Sequence, residues 1–547
     1  MPVSRSLSHR FDQTVVRPSV QQTDSAPDSR ALPPGFHESP PPDFTDRSRL
    51  AGPAQEYVLG ERDFRIRRDE RTELEQKLLL AGEWIETGDW DELNSPWDGS
   101  PIARVAHGSE ELVDRAVRTA HQVFTEGGLP QFERAAILSR AADLVAERQE
   151  DLAQTIASEA GKPIKTARAE ASRTVDTLTF SAVEARKLTG STVPMEASAA
   201  GVGKLGVILR VPLGVVGAIS PFNFPLNLVA HKLGPAIAAG NAVVLKPASQ
   251  TPLSSMKLAE ILIEAGLPNG WLSVIPGGGR SVGNALVEHE LTAAISFTGS
   301  APVGWGIRSR VPHKRVGLEL GSNAPLIVNH DGDWEQAADK ARIHAFSHAG
   351  QSCISTQRIL VHEEVADRFT ERLVANVEAL KVGDPLDPET DVGPLISPAD
   401  RDRVKQWIDE AVESGGEILT GGELVDEGRC LAPTVVAHPD PEARVWCEEI
   451  FGPVATVDRF TDFEAALERA NDSKFGLQAG VFTRDLGNGI KAAETLEFGG
   501  VLINEVPTFR ADQQPYGGVK DSGNTREGPA YSIIEMTEQR FVTFQGG

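Results

Sequence analysis

Residues 348–356 read HAGQSCIST and hold Cys353, one of only 3 cysteines in a chain of 547 residues. A structural cysteine hides among large apolar side chains. A thiol flanked by Gly350, Ser352 and Ser355 is left accessible, and a cysteine attacks as thiolate, so Cys353 is a candidate nucleophile. Attack on a carbonyl builds an alkoxide that needs hydrogen-bond donors, and a later hydrolysis needs a base. Asn223, between two phenylalanines in PFNFP, offers a carboxamide N–H of the kind an oxyanion hole uses; a turn cap is the plainer reading. Glu319 ends the apolar run KRVGLEL. Desolvated there, its pKa would rise and it could act as a base, unless an arginine pairs with it. His348 has no evident partner of its own, so no Cys–His dyad is read.

These residues lie far apart in sequence, so folded elements must assemble them. Helical periodicity covers 109–126, 132–160 and 164–189, and a β-rich stretch follows at about 190–212. Then comes a rhythm of strand, loop and helix. GVVGAIS (214–220), NAVVLK (241–246), WLSVI (271–275), AAISF (293–297) and KRVGLEL (314–320) read as strands, with helices in LNLVAHKLGPAIAAG and from Pro252. Apolar, β-branched strands alternating with helices predict an α/β fold with a doubly wound parallel sheet. A second α/β region starts near 322 with PLIVN, RILVHE, AGVFT and GVLIN.

In such sheets ligands bind beyond the carboxyl ends of the strands. Ser220, Pro221, Phe222 and Asn223 follow the first strand, and Lys246 and Ser249 the second. Gly279 and Gly283 of PGGGRSVG follow the third, Phe297, Gly299 and Ser300 the fourth, and Glu319 and Leu320 the fifth. PGGGRSVG departs from G-x-G-x-x-G, and alone it could be a turn, but bare N–H groups at a helix start suit a pyrophosphate. Lys246 alone could be a solvated charge; a cofactor ribose or phosphate would equally account for it.

The formal net charge of −24 argues against a nucleic-acid or anionic-membrane partner. No apolar run is long enough to span a membrane. Three cysteines without a paired CxxC make neither a disulfide framework nor a zinc site, which fits a reducing cytoplasm. Arginine outnumbers lysine, a pattern shared by salt-adapted proteins and GC-rich coding. Residues 1–75, rich in Pro, Ser, Asp and Arg, read as a disordered or loosely attached extension without the apolar core of a secretory signal.

The stretches PFNFPLNLVAHKLGPAIAAGNAVVLKPASQTP, ISFTGS, LELGSNAP, AGQSCIS, EEIFGP and PYGGVKDSG resemble, in order and spacing, the NAD(P)-dependent aldehyde dehydrogenase superfamily. The resemblance runs from about residue 76 to the C-terminus. It implies Cys353 as nucleophile, Asn223 with the Cys353 backbone N–H as oxyanion donors, and Glu319 as the base that activates water. It implies Lys246 on the adenosine ribose, Glu449 on the nicotinamide ribose with Phe451 beside it, and Gly299 and Ser300 facing the cofactor, NAD or NADP. It also implies a cofactor domain over 76–321, a catalytic domain over 322–520, and a β arm from the hairpin near 190–212 plus the segment 521–547, which would join a homodimer or homotetramer.

Two departures stand out. Ser249 replaces a glutamate that in many NAD-preferring members accepts from the ribose 2′-OH and repels a 2′-phosphate, which implies that NADP is accepted. Phe222 replaces a common tryptophan, a small change of pocket shape. The substrate expected is a small aldehyde of lactaldehyde, semialdehyde, or phosphate- or phosphonate-bearing type. Arg510 in TFRADQ is expected either to draw in an anionic tail or to pair at the surface with Asp512. Two alternatives are a CoA-acylating member, which would typically lack Glu319, and a non-catalytic member, against which Cys353, Glu319 and Asn223 together speak.

Overall fold

The computed structural model describes residues 74–546. Most of the 1–75 extension therefore lies outside the described residues, but Leu74 and Glu75 already pair as a parallel strand with Ala103 and Arg104. Helix α1 spans Glu110–Glu126, α2 Gln131–Glu147, α3 Gln149–Ala160 and α4 Ile164–Lys187. The single helix expected over 132–160 is thus two. The break at Arg148 (φ −112°) carries no glycine or proline; it falls in the polar run ERQED, where no apolar contact holds the helix straight.

The five expected strands form the parallel part of one sheet, and α5 (Asn227–Ala239) and α6 (Pro252–Glu264) follow the first and second of them. The order is Arg315–Glu319, Thr292–Thr298, Val215–Ile219, Ala242–Lys246, Leu272–Val274. An antiparallel pair, Leu78–Leu80 and Glu83–Ile85, extends the edge beyond the third strand. The strand order reverses direction at Val215–Ile219, which opens a crevice at the carboxyl ends there. These strands are buried nearly throughout, and that is why they read as continuous apolar runs. α5 is buried on every side, so its apolar character has no stripe.

A second sheet is ordered Glu417–Thr420, Thr434–Ala437, Val454–Phe460, Arg358–His362, Pro325–Val328, Gln478–Phe482, Gly500–Ile503, parallel except at its first strand. A third, antiparallel sheet places Thr537–Gln545 beside Lys204–Pro212, and Ser191–Val193 on the other side. Among the described residues no helix is long and apolar enough to cross a membrane.

Asn241 ties the third sheet to the first. Its Oδ1 accepts from the N–H of Leu213 (2.7 Å) and Gly214 (3.0 Å), and its amide donates to the Met536 carbonyl at 2.9 Å. Asn241→Ala strands these backbone groups, each worth about 1–3 kcal/mol when left unpaired. The expected loss is on the order of 2–4 kcal/mol, read as a lower urea midpoint. An unchanged midpoint refutes this role.

Candidate active site

The helix Trp334–Phe346 ends in a sharp turn. His348 (φ 52°), Ala349 (φ 52°) and Gly350 (φ 69°) are left-handed in succession. Two of them carry side chains, a strained arrangement that clusters at functional sites. A Cβ on Gly350 would lie 2.0 Å from the Gly452 carbonyl oxygen, so glycine is required. This turn delivers Cys353, which is half-buried, with Sγ 2.9 Å from the Tyr516 hydroxyl. Crowding around the sulfur pushes its pKa up to about 12, against the Tyr516 contact, which lowers it. The thiol therefore keeps its proton at neutral pH in this form. His348 is buried with neither ring nitrogen partnered, and burial keeps it neutral.

Asn223 is buried, and its Nδ2 donates to the Gln351 carbonyl at 2.9 Å. An amide nitrogen carries two hydrogens, so one N–H remains, while Oδ1 has no partner. Gln351 thus joins the Asn223 loop to the turn that carries Cys353, a link the sequence reading does not contain. Glu319 ends its strand buried, and neither carboxylate oxygen has a hydrogen-bond partner. Burial raises its pKa well above the usual range, and the charge of Glu527 adds to the rise. Among the described residues no arginine hydrogen-bonds to it, although the charge of Arg510 acts on it.

Around Glu319 lie charges not anticipated from sequence. Lys232 of α5 donates to Thr298 Oγ1 (2.6 Å) and approaches Glu527 at 3.4 Å. Against the cost of burial, Lys232 and Arg510 hold Glu527 ionised. Arg510 is not a surface residue paired with Asp512. Its side chain is 7% exposed, donates to Glu527 at 3.1 Å, and stacks 3.8 Å over the Tyr516 ring. Asp512 is taken instead by Arg173 (2.8 Å), Asn227 (3.1 Å) and His231 (3.0 Å). The one hint in sequence was a lysine amid the apolar residues of α5.

The remaining candidates line the other strand ends. Ser220 is buried with Oγ unpartnered, and Phe222 meets Phe451 edge to face at 5.8 Å. Pro221 lies between these two. Lys246 is buried, donates only to its neighbour's carbonyl (Pro247, 2.9 Å), and burial brings its pKa down to about 8. Gly283 sits against the Lys246 side chain, while Gly279 faces open space. Ser249 is exposed, with Oγ donating to the Gly277 carbonyl at 3.3 Å. Gly299 N–H donates to the Glu319 carbonyl (3.1 Å), and the Leu320 N–H to that of Ser522 (3.0 Å). Phe297 is buried, and its ring leaves no room for a Cβ on Gly299. Ser300 starts the helix Ala301–Arg310 without a side-chain cap. Glu449 is half-buried, accepts from Ser322 N–H at 3.1 Å, and is raised by desolvation to about 7. Its carboxylate lies where a Cβ on Gly321 would be. Phe451 adopts φ 50°. An orphaned hydroxyl, a buried ammonium with one local contact, open glycine backbone and an uncapped helix start form a cradle that fits a dinucleotide's hydroxyls and pyrophosphate.

Comparison with known proteins places the chain in a family. The family model described as the aldehyde dehydrogenase family matches residues 84–542. The 3-sulfolactaldehyde dehydrogenase of Priestia megaterium is 42% identical over 465 residues, covering 85% of this chain and 97% of that protein. The crystal structure of aldehyde dehydrogenase 21 from Physcomitrella patens, in complex with the reaction product succinate, has a TM-score of 0.84 at 38% identity, covering 87% of this chain and 99% of that one. Glyceraldehyde-3-phosphate dehydrogenase GapN from Methanocaldococcus jannaschii, complexed with NADP, has a TM-score of 0.80 at 38% identity, covering 84% and 100%. The chain belongs to the aldehyde dehydrogenase family, oxidoreductases that act on the aldehyde group.

Proposed function

We propose that this protein oxidises a small anionic aldehyde to its carboxylic acid with NAD(P), through a thioester on Cys353 that water hydrolyses. The observation that carries the reading is that Asn223, with one N–H spare, bonds to Gln351 two residues before Cys353, and that the unpartnered Glu319 carboxylate lies close enough for its charge to act on the Cys353 thiol. Cys353 Sγ bonds to the carbonyl carbon as its proton passes to Glu319. The alkoxide is met by the Asn223 amide and the Cys353 backbone N–H. Bound NAD(P) supplies the acceptor for the hydride that leaves the adduct. The resulting thioester is attacked by water, whose proton goes to Glu319 once that group is ionised again. Ser220, Lys246, Glu449 and the backbone at Gly279, Gly283, Gly299 and Ser300 are the groups that would hold the dinucleotide, with Phe222, Phe297, Leu320 and Phe451 packing around it. Presence of Glu319 favours water over CoA as the acyl acceptor.

The anionic tail is supported by what the relatives are named for, a sulfonated aldehyde and a phosphorylated one, and by a structure holding succinate. Arg510 is the cation proposed to attract it, since its guanidinium stacks on the ring whose hydroxyl touches Cys353. Assembly into a homodimer or homotetramer is supported by the arm, where Leu205, Leu209 and Phe544 are exposed on one face. Light scattering reads the mass, and a monomer refutes it.

Purified protein given an acidic small aldehyde and NADP, without CoA, is expected to produce 340 nm absorbance that Cys353→Ala abolishes. Because Ser249 does not repel a 2′-phosphate, kcat/KM with NADP should at least equal that with NAD. Strong NAD preference sinks the cofactor reading, and absorbance surviving Cys353→Ala sinks the mechanism.

Arg510→Gln is expected to raise KM for the acidic aldehyde roughly tenfold, the loss of about one charge-assisted hydrogen bond, and to leave KM for a neutral alkyl aldehyde within about twofold, while the loss of the Glu527 partner lowers kcat for both alike. Equal effects on the two KM values overturn the assignment.

A further inference from the structure

Asn223 lies on the irregular stretch between the first parallel strand and α5, and little within that stretch holds it. α5 begins at Asn227, and Leu226 before it supplies no side-chain cap. The first N–H groups of a helix need partners from somewhere. Here they come from a different helix. Glu170 of α4 accepts from Leu226 N–H at 3.0 Å and Asn227 N–H at 3.1 Å through one oxygen. Its other oxygen is held by the ammonium of Lys162, and both side chains are 0% exposed. The same ammonium lies 3.8 Å over the ring of Phe224, the residue after Asn223. Phe224 in turn meets the His348 ring edge-on at 6.5 Å, in the left-handed turn that leads to Cys353.

A buried ion pair is a poor stabiliser, because desolvating two charges consumes most of what their attraction returns. This pair has a more specific task available. It grips the chain on the C-terminal side of Asn223, and through Phe224 and His348 it meets the turn that carries the nucleophile. The reaction depends on an N–H held where the alkoxide will form, and small displacements of such a donor are costly.

We propose that Lys162 and Glu170 are positioning residues for the oxyanion donor: the pair fixes residues 223–227 so that the free N–H of Asn223 meets the oxygen formed when Cys353 attacks. The inference rests on the reading of Asn223 given above. Neither residue touches the reacting atoms; both act through Asn223.

A double-mutant cycle tests this. Glu170→Gln and the charge-free Lys162→Met/Glu170→Met are each made alone and with Asn223→Ala. Aldehyde oxidation and the nucleotide-independent hydrolysis of p-nitrophenyl acetate are both followed, since each passes through a tetrahedral oxyanion on Cys353. In the otherwise native protein kcat is expected to fall about tenfold or more, a fraction of the roughly 10²–10³ that loss of an oxyanion donor costs. KM and nucleotide binding should change less than about twofold. In the Asn223→Ala background the same changes should cost less than about twofold, because a donor that is gone cannot be misplaced. An equal fall in both backgrounds overturns the proposal and leaves a purely structural role. If Asn223→Ala alone leaves kcat unchanged, the oxyanion reading fails, and this inference with it. Should Glu170→Gln fail to fold because Lys162 is left unpaired, the double methionine variant, with no buried charge, carries the test.

Discussion

A carboxylate removed from water and given no hydrogen-bond donor is something a protein core ordinarily avoids, since each unpartnered charged oxygen costs more than a neutral one. Glu319 is held in that condition, and much of the surrounding architecture exists to sustain it. Its backbone is held in a parallel strand beside Thr292–Thr298 and bridged to Gly523, which fixes the point from which the side chain departs. Glu527 raises its affinity for a proton, while Lys232 and Arg510 keep the cluster from carrying two uncompensated charges. Burial and the Glu527 charge together hold the proton affinity of the group well above that of an ordinary carboxylate, the direction the proposed base needs. Cys353 lives under the same constraint with the opposite sign of usefulness. Desolvation holds its thiol protonated at neutral pH.

The strand ends were legible because a buried parallel strand announces itself as an apolar run, and residues placed just after such runs can be collected without knowing the fold. Cys353 was legible from its small neighbours. What was not legible is whatever depends on distant segments meeting. Tyr516 reaches Cys353 across 163 positions. One of the two readings of Arg510 paired it two residues along the chain, but folding brings Arg173 to Asp512 from 339 positions away, and Arg510 turns inward to Glu527. Proximity in sequence is a weak guide once a buried carboxylate can choose among several cations. The break at Arg148 was hidden for a related reason: helical periodicity continues through it, and only packing decides that the axis changes.

Glycine positions around the site show how closely backbone and side chains are fitted. Gly321 leaves the space that the Glu449 carboxylate occupies, and Gly350 lets the nucleophile turn lie against the Gly452 carbonyl. Neither glycine is chosen for flexibility alone. Each permits an approach that any Cβ would forbid, so the positions of Glu449 and of the turn before Cys353 are set by steric exclusion as much as by attraction.

The third sheet has a consequence for how the chain is made. Thr537–Gln545 emerges from the ribosome long after Lys204–Pro212, the strand it pairs with along its full length. During that interval the earlier strand, with Leu205 and Leu209 along it, has Ser191–Val193 on one edge and nothing on the other. Such an unfinished edge is an invitation to pair with a neighbouring nascent chain. Lys204 at the start of that strand and Arg210 within it put charges on the open edge, the kind of residue that discourages such pairing.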